Sequence, residues 1–182
     1  ESLEVEVYRD KNIYLQNYQK GIPNGNIEKL DQKTNKKGTK ITFKPDEDIF
    51  DKNVKFNIEK LYNFCKSKAY LFAGIEIRWS CNELVAEENN IPRSEIFNFS
   101  KGLEDFLVNE VKGSTFIAQE SFSGKKEKDS KNNSIEWAVN WSMSSDGFLN
   151  SYCNTVPTPD GGTHELGLKN GLLKALRSHS ER

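Results

Sequence analysis

The stretch NTVPTPDGGTHELGLKNGLL, residues 154–173, combines two prolines, a glycine corner and a helical pattern. A strand-like run, residues 148–153, precedes it, and the helical pattern starts after His164. A glycine corner that opens onto a helix N-terminus is typical of an anion site, because free backbone N–H groups and the helix dipole face the ligand. The other interpretation is a tight strand-to-helix turn in which Thr163 caps the helix.

The composition bounds the number of domains and the classes of partner. The chain has 182 residues, of which 35% are hydrophobic and 29% charged, and its formal net charge is -1. This length permits one domain or two small ones. A net charge near zero provides no overall field that attracts nucleic acid, so any DNA contact needs a local patch. No run of about 18 apolar residues occurs, which predicts that the chain makes no membrane span.

Two features of the sequence bear on the compartment. The first ten residues alternate charged and apolar side chains, which predicts a strand and does not fit a signal peptide. They include no initiator Met, as expected of a chain cut from a longer one. The three dispersed cysteines, Cys65, Cys81 and Cys153, form no C-x-x-C pair. This usage favours structural thiols in a reducing compartment, so we expect a cytoplasmic protein.

The first hundred residues predict antiparallel strands and one helix. Alternating apolar residues predict three strands, at residues 3–7, 13–18 and 39–43, and Pro45 ends the third. Apolar residues three and four apart predict a helix over residues 56–72, with a buried stripe of Leu61, Phe64, Cys65, Lys68, Leu71 and Phe72. Two further runs, residues 74–81 and 95–100, predict a hairpin. The result is an α+β layer.

The pattern restarts at Gly102 and again predicts a mixture of helix and strand. A short amphipathic helix is expected directly after Gly102, and residues 125–134 form a charged loop or linker. Residues 135–143 predict a strand, which Asp146-Gly147 would join to a return strand at residues 148–156. The chain closes with a helix that carries an apolar stripe of Leu168, Leu172, Ala175 and Leu176.

Two indoles, Trp137 and Trp141, lie on one face of the strand predicted at residues 135–143. One interpretation is a stacking platform for nucleic-acid bases. The other is burial in the core, because a strand with a strongly apolar face packs against another layer. We expect both indoles to be buried.

The residues alone carry no recognisable catalytic motif. No nucleophile elbow, Walker-type loop or H-E-x-x-H motif is present. Glu87 and Glu88 are adjacent, so their carboxylates do not indicate an acid–base pair. His164 at a helix start is more typical of packing or hydrogen bonding than of a metal ligand. The residues therefore predict an α+β protein with two subdomains and no self-contained active site.

Three stretches of the sequence resemble the ATPase subunits of bacterial type IIA topoisomerases. They are GTKITFKPDEDIF (38–50), FNIEKLYNFCKSKAYLFAGIEIRW (56–79) and SYCNTVPTPDGGTHELGLKNGLLKAL (151–176). The resemblance extends over residues 3–177, and the Gly-Gly-Thr-His corner with its flanks is its most specific part. Within the family, KSKAYLFAGIEI and SFSG…IEWAVNW look more like the ATPase subunit of topoisomerase IV (ParE) than that of gyrase (GyrB).

The resemblance implies two incomplete domains. Residues 1–101 resemble the C-terminal part of a GHKL ATPase domain. Residues 102–182 resemble the N-terminal part of a transducer domain, whose fold is similar to domain 2 of ribosomal protein S5. In the family's register, the Mg²⁺-binding Asn helix, the general-base Glu, the Asp that reads adenine and the ATP lid precede residue 1. The transducer loop whose Lys reaches the γ-phosphate follows residue 182, so we expect the chain alone to be inactive.

The resemblance also implies which residues contact the cofactor. Gly38-Thr39 matches the strand whose Thr hydrogen-bonds the adenine side of the ATP pocket, and Ile41 matches an apolar position of that pocket. The side chains of Thr39 and Ile41 point the same way because strand residues alternate. The glycine corner is then a turn that sets the last helix against the transducer sheet. In this interpretation Gly161 and Gly162 supply the backbone geometry, and Thr163 caps the helix.

The function implied is that of an ATP-dependent type II DNA topoisomerase subunit. ATP binding closes two subunits into a clamp on DNA, and hydrolysis resets it. The expected partners are DNA, a second copy of the subunit and a ParC-like cleavage subunit in a heterotetramer; the expected cofactors are ATP and Mg²⁺. The alternatives are the ATPase subunit of gyrase, another GHKL ATPase of the mismatch-repair or chaperone type, and an S5-like nucleic-acid-binding module. The near-zero net charge disfavours the last of these.

Overall fold

The computed structural model describes four stretches of the chain, residues 1–112, 115–126, 133–143 and 147–181. Helices and strands are mixed throughout these stretches, which confirms the predicted α+β class. The chain divides into two compact units, Glu1–Phe56 and Asn57–Arg182. The boundary at Gly102 between the GHKL ATPase domain and the transducer domain, which the resemblance implies, stays a prediction. None of the helices in the described stretches is long and apolar enough to cross a membrane.

The first unit is an antiparallel sheet of five strands. They are β1 (Ser2–Arg9), β2 (Asn12–Gln19), β3 (Ile22–Pro23), β4 (Glu28–Leu30) and β5 (Gly38–Lys44). The strand order is β3-β2-β1-β5, and β4 also pairs with β2. The three strands predicted from alternation are confirmed as β1, β2 and β5, and β5 ends directly before Pro45.

A charged pair holds β1 against β5 on one face of this sheet. Glu6 lies directly opposite Lys40 and forms a salt bridge with it. The Tyr8 hydroxyl donates to the same carboxylate at 2.6 Å. Both hydrogen bonds hold the pKa of Glu6 below its ordinary value, and the one from Lys40 has the larger effect. The pair opposes a one-residue slip of β5, which would turn every side chain of the strand to the other face.

The second unit contains four helices and three two-stranded antiparallel sheets within its described residues. The helices are α1 (Ile58–Leu71), α2 (Glu83–Glu88), α3 (Leu103–Glu110) and α4 (Thr163–Ser180). The sheets are β6 (Glu76–Ser80) with β7 (Ser94–Asn98), β8 (Phe122–Lys126) with β9 (Ile135–Val139), and β10 (Tyr152–Cys153) with β11 (Val156–Pro157). The predicted β6–β7 hairpin is confirmed, and α2 lies in its connection.

Helix α1 packs on the β6–β7 hairpin through aromatic side chains. The Tyr62 ring meets the rings of Trp79 and Phe97 edge-on, with centroids 5.7 Å and 5.4 Å away. Phe97 is only 1% exposed, and burial of such a ring stabilises a fold by about 1.5–3 kcal/mol. Burial, followed by the hydrogen bond to Glu95, raises the pKa of Tyr62 to about 12.

The buried side of α1 differs from the predicted stripe. Ala69 and Tyr70 are the buried residues of this helix, and the Tyr70 ring stacks on Phe99 with centroids 3.7 Å apart. In contrast, Leu61 and Phe64 are 38% and 56% exposed. The helix itself is confirmed. The predicted stripe is wrong, because it was drawn through apolar residues and omitted Tyr62 and Tyr70, whose rings make the packing contacts.

Strand β9 pairs with β8, which precedes it, and not with the predicted return strand. Within residues 148–156, only β10 and the first residue of β11 are strands, and these two pair with each other. The hairpin predicted between residues 135–143 and 148–156 is therefore wrong. Asp146 of its proposed turn lies outside the described residues.

The two indoles of this region differ in burial. Trp137 is half-buried, lies opposite Gly124 in the β8–β9 hairpin and packs near Phe122, with ring centroids 6.2 Å apart. Trp141 lies beyond the end of β9 and is 37% exposed. The predicted burial is wrong for Trp141, because β9 ends at Val139 and Trp141 is no longer part of the strand.

We expect Gly124→Ala to lower the free energy of unfolding by about 1–3 kcal/mol, the usual cost of overpacking. A Cβ at Gly124 would lie 2.5 Å from Cζ2 of Trp137, so the indole must move. Urea unfolding followed by tryptophan fluorescence measures the effect.

The matched control is Gly171→Ala in α4, where a Cβ meets nothing within 4 Å. Alanine is the better helix former, so this variant should be stabilised by about 0.5–1 kcal/mol. Equal stability of Gly124→Ala and the unmodified chain would contradict the close packing of Trp137 on Gly124.

Candidate functional site

The first candidate region is one face of strand β5. Thr39 and Ile41 share this face, as predicted, and lie opposite Val7 and Val5 of β1. Both are exposed, Ile41 to 61%. Gly38 begins the strand with a φ of +126°. The structure therefore brings the predicted side chains together on an open sheet face.

A cavity of about 460 Å³ adjoins this face. Its lining includes Val5 and Val7, which are the cross-strand neighbours of Ile41 and Thr39. Tyr14 of β2 lies in the same row as Val7 and also lines the cavity. An apolar floor with a few polar groups around it is typical of a small-molecule site.

Arg9 and Asp10 bring charge to the end of this cavity. The Arg9 Nε lies 3.3 Å from the Asp10 carboxylate, and both side chains are exposed. A guanidinium beside an apolar floor can donate to a polar ligand atom while the floor contacts a ring. Within the described residues, no group of three or more His, Cys, Asp or Glu side chains could hold a metal ion.

The sequence alone did not indicate four residues that line this cavity, Val5, Val7, Arg9 and Tyr14. Alternation along a strand shows which of its own residues share a face. It does not show which strand lies alongside, and the β1–β5 register joins positions thirty or more residues apart. The missing signal is the strand pairing, which one sequence does not reveal.

The second candidate region is the glycine corner before α4. Gly161 has a φ of +74°, and its N–H donates to the Thr158 carbonyl oxygen at 2.9 Å. Gly162 is the N-cap residue, in an extended conformation and without a side-chain cap. The predicted cap by Thr163 is wrong, because Thr163 is already the first residue of the helix.

A chain of hydrogen-bonded side chains lies beside this corner. Ser151 Oγ lies 2.7 Å from Thr158 Oγ1 and donates to Glu165 Oε2 at 3.1 Å. Thr158 Oγ1 lies 3.2 Å from His164 Nε2. Ser151, Thr158, Gly161 and Glu165 also line a cavity of about 340 Å³. His164 thus has a hydrogen-bonding position, as the sequence favoured.

Glu165 occupies the first turn of α4, where a bound anion would lie. Its carboxylate accepts from Lys169 Nζ at 2.7 Å. The hydrogen bond from Lys169 has the largest effect and lowers the pKa of Glu165. Desolvation opposes this effect, and the hydrogen bond from Ser151 adds to it. A carboxylate here complements the helix dipole and would repel a second anion. The geometry therefore favours the structural turn.

Comparison with known proteins decides the family. The family model described as DNA gyrase B matches residues 102–182. The B-subunit of DNA topoisomerase 4 from Bartonella bacilliformis is 42% identical over 182 residues, which is 100% of this chain and 26% of that protein. The corresponding subunit of Caulobacter vibrioides is 43% identical over 185 residues, again 100% of this chain and 26% of the relative. The chain belongs to the B-subunit family of bacterial type IIA topoisomerases.

Solved structures of this family have the same fold. The topoisomerase IV ATP-binding domain of Francisella tularensis, in complex with a small-molecule inhibitor, is 31% identical with a TM-score of 0.72. The match covers 99% of this chain and 46% of that one. The 43K ATPase domain of Thermus thermophilus gyrase B, in complex with an aminocoumarin, is 23% identical with a TM-score of 0.82 and supports the fold alone. That match covers 100% of this chain and 47% of the other.

The matches extend over both candidate regions, since they include the whole chain. The chain spans about a quarter of the length of the curated relatives, 26% in each of the two described above. Family membership therefore accounts for the fold of these 182 residues.

We expect Gly161→Ala to lower the free energy of unfolding by about 1 kcal/mol or more, because alanine is strained at positive φ. The new Cβ would also lie 3.0 Å from Glu165 Oε2. Gly162→Ala should cost less, since its backbone is extended; its Cβ would lie 2.8 Å from the His164 ring, a contact that a shift of this side chain relieves. Chemical denaturation measures both.

Added phosphate separates the two interpretations of this corner. A structural turn predicts that phosphate, which stabilises folded proteins in general, shifts the melting temperature of the unmodified chain and of Gly161→Ala equally. Stabilisation of the unmodified chain by phosphate, lost in Gly161→Ala, would contradict the turn and support an anion site.

Proposed function

We propose that the chain is part of the ATPase subunit of topoisomerase IV, which couples ATP binding and hydrolysis to DNA strand passage. The observation that carries the proposal is identity of 42–43% over the whole chain to B-subunits of DNA topoisomerase 4. The presence of an ATP-binding domain of topoisomerase IV among the structural relatives supports it.

In this proposal β5 forms one wall of the nucleotide pocket. Thr39 hydrogen-bonds the adenine side, directly or through one water, and Ile41 contacts the ring. The valines opposite them, Val7 and Val5, continue the apolar wall towards the 460 Å³ cavity. A purine needs contacts on both faces and an edge that is read by polar groups, and one sheet face supplies only part of these. The 182-residue chain alone should therefore bind ATP weakly.

The chemistry of hydrolysis is assigned to parts of the subunit outside this chain. Mg²⁺, when bound, would neutralise the phosphate charge, and its ligand, the general-base Glu and the lid are proposed to lie before residue 1. The residues described here would orient the base of the nucleotide and exclude water from one of its faces. Gly38 is proposed to allow close approach of the backbone at the start of this wall.

The proposed partners follow from strand passage. DNA is the substrate, and a ParC-like subunit supplies the cleavage chemistry in a heterotetramer. ATP binding brings two copies of the ATPase region together, and the transducer part passes this state on by rotation of one domain against another. The proposed location is the cytoplasm, with no membrane partner.

We expect Thr39→Ala in the intact subunit to lower nucleotide affinity about two- to tenfold, because a net hydrogen bond contributes roughly 0.5–1.5 kcal/mol. Inhibitors that occupy the adenine pocket should weaken too. DNA cleavage should persist, since the partner subunit carries it out. Calorimetric titration with a non-hydrolysable ATP analogue measures the affinity.

Thr42→Ala is the matched control for this experiment. Thr42 lies on the same strand but opposite Glu4, on the other face of the sheet. Its hydroxyl should not contribute to nucleotide binding. Unchanged affinity in Thr39→Ala together with weaker binding in Thr42→Ala would contradict the site assignment.

The ATPase subunit of gyrase is the second candidate, favoured by the family model that matches residues 102–182. The two functions differ in the reaction of the reconstituted enzyme. We expect the intact subunit, combined with the cleavage subunit of its own organism, to decatenate linked DNA circles and to relax supercoils with ATP. ATP-dependent introduction of negative supercoils into relaxed DNA, measured on agarose gels, would support gyrase and overturn topoisomerase IV.

A further inference from the structure

Lys68 of α1 makes a long-range contact with the turn between β10 and β11. Its ammonium group donates to the Thr155 carbonyl oxygen at 2.6 Å and to Thr155 Oγ1 at 2.8 Å. The two residues are 87 positions apart. Thr155 lies inside the segment 102–182 that matches the gyrase B model, and Lys68 lies before it. The contact therefore connects parts of the chain that the family resemblance assigns to different domains.

The surroundings of Lys68 make this contact specific. The side chain is half-buried, and its ammonium group lies 4.9 Å from the centre of the Phe64 ring. A cation in the last turn of a helix is also stabilised by the helix dipole. A partly desolvated ammonium needs acceptors, and the two Thr155 oxygens supply them. Loss of the charge would leave the carbonyl of the turn without this donor.

The turn that Lys68 holds has an unfavourable backbone. Asn154 and Thr155 link β10 to β11 with φ values of +48° and +66°. Such values suit a two-residue hairpin turn, but they are uncommon for a β-branched residue such as Thr155. Two hydrogen bonds from one cation oppose the release of this strained conformation.

The far end of the same hairpin is bonded to α4. Thr158 N–H donates to the Ser151 carbonyl oxygen at 2.9 Å, which closes the hairpin beyond β10 and β11. The Ser151 hydroxyl donates to Glu165 in the first turn of α4. Polar contacts thus run from α1 through the 151–158 hairpin to α4 without interruption.

We propose that Lys68 is a positioning residue that couples the nucleotide-binding part of the subunit to its transducer part. The inference rests on the proposed topoisomerase function. Lys68 fixes the 154–155 turn to α1, so that displacement of α1 on nucleotide binding moves the 151–158 hairpin and, through Ser151 and Glu165, helix α4. Contact alone does not transmit a change unless both ends differ between two states, so the test measures coupling directly.

The experiment uses the intact subunit reconstituted with its cleavage subunit. Lys68→Met keeps the length of the side chain and removes its charge and donors. We expect the number of ATP molecules consumed per DNA decatenation to rise by about fivefold or more, if the loss of coupling is as large as the smallest typical allosteric effects on binding affinity. The KM for ATP should change less than the coupling ratio, because Lys68 lies on α1, outside the nucleotide site proposed on β5. Lys68→Arg, which retains charge and N–H donors, should restore most of the coupling.

Lys60→Met is the matched control. Lys60 lies on the same helix and is exposed, and among the described residues its ammonium forms no hydrogen bond or ion pair. The same charge is removed, so an effect on coupling that Lys60→Met shares would contradict a specific role of Lys68.

Ser151→Ala tests the other end of the path and serves if Lys68→Met fails to fold. It should raise the coupling ratio in the same direction, and the double variant should be no worse than the stronger single one, since both break one path. Normal coupling in a folded Lys68→Met or Ser151→Ala subunit overturns the proposal. If the unmodified enzyme shows no DNA-stimulated ATP hydrolysis, the proposed function fails and this inference falls with it.

Discussion

The antiparallel pairing of β1 with β5 is the constraint on which the nucleotide assignment depends. It places Thr39 beside Val7 and Ile41 beside Val5, and it turns Lys40 to the other face. The Glu6–Lys40 pair opposes a slip of one residue. A slip of one residue would turn Thr39 and Ile41 to the face opposite that of Val5 and Val7. Strand β5 could then not continue the apolar wall that these valines form.

Helix α1 has the corresponding role in the second unit. Its buried side holds Tyr70 against Phe99, and its last turn presents Lys68 to the turn at Thr155. One helix therefore carries both an apolar contact with the residues around β7 and a polar contact with the β10–β11 hairpin. Close-packed contacts transmit displacement better than loose ones, which makes α1 a suitable element for coupling two parts of a subunit.

The sequence predicted local structure better than pairing. The alternation of β1, β2 and β5, the helix at α1 and the α+β class are confirmed, because they depend on spacing along the chain. The predictions for the partner of β9, the burial of Trp141 and the buried side of α1 were wrong, since each depends on where elements end and which of them pack together, and not on spacing within one element. The same holds for the site. Thr39 and Ile41 share a face as predicted, whereas only the folded structure shows that Arg9 and Tyr14 line the adjoining cavity.

A crystal structure of the intact subunit with a non-hydrolysable ATP analogue tests the central claim most directly. The account predicts the adenine ring on the face of β5 that carries Thr39 and Ile41. Thr39 Oγ1 should lie within about 2.6–3.2 Å of an adenine nitrogen or of one water bonded to it. An adenine ring on the face of Lys40 and Thr42, or one without contact to β5, would contradict it.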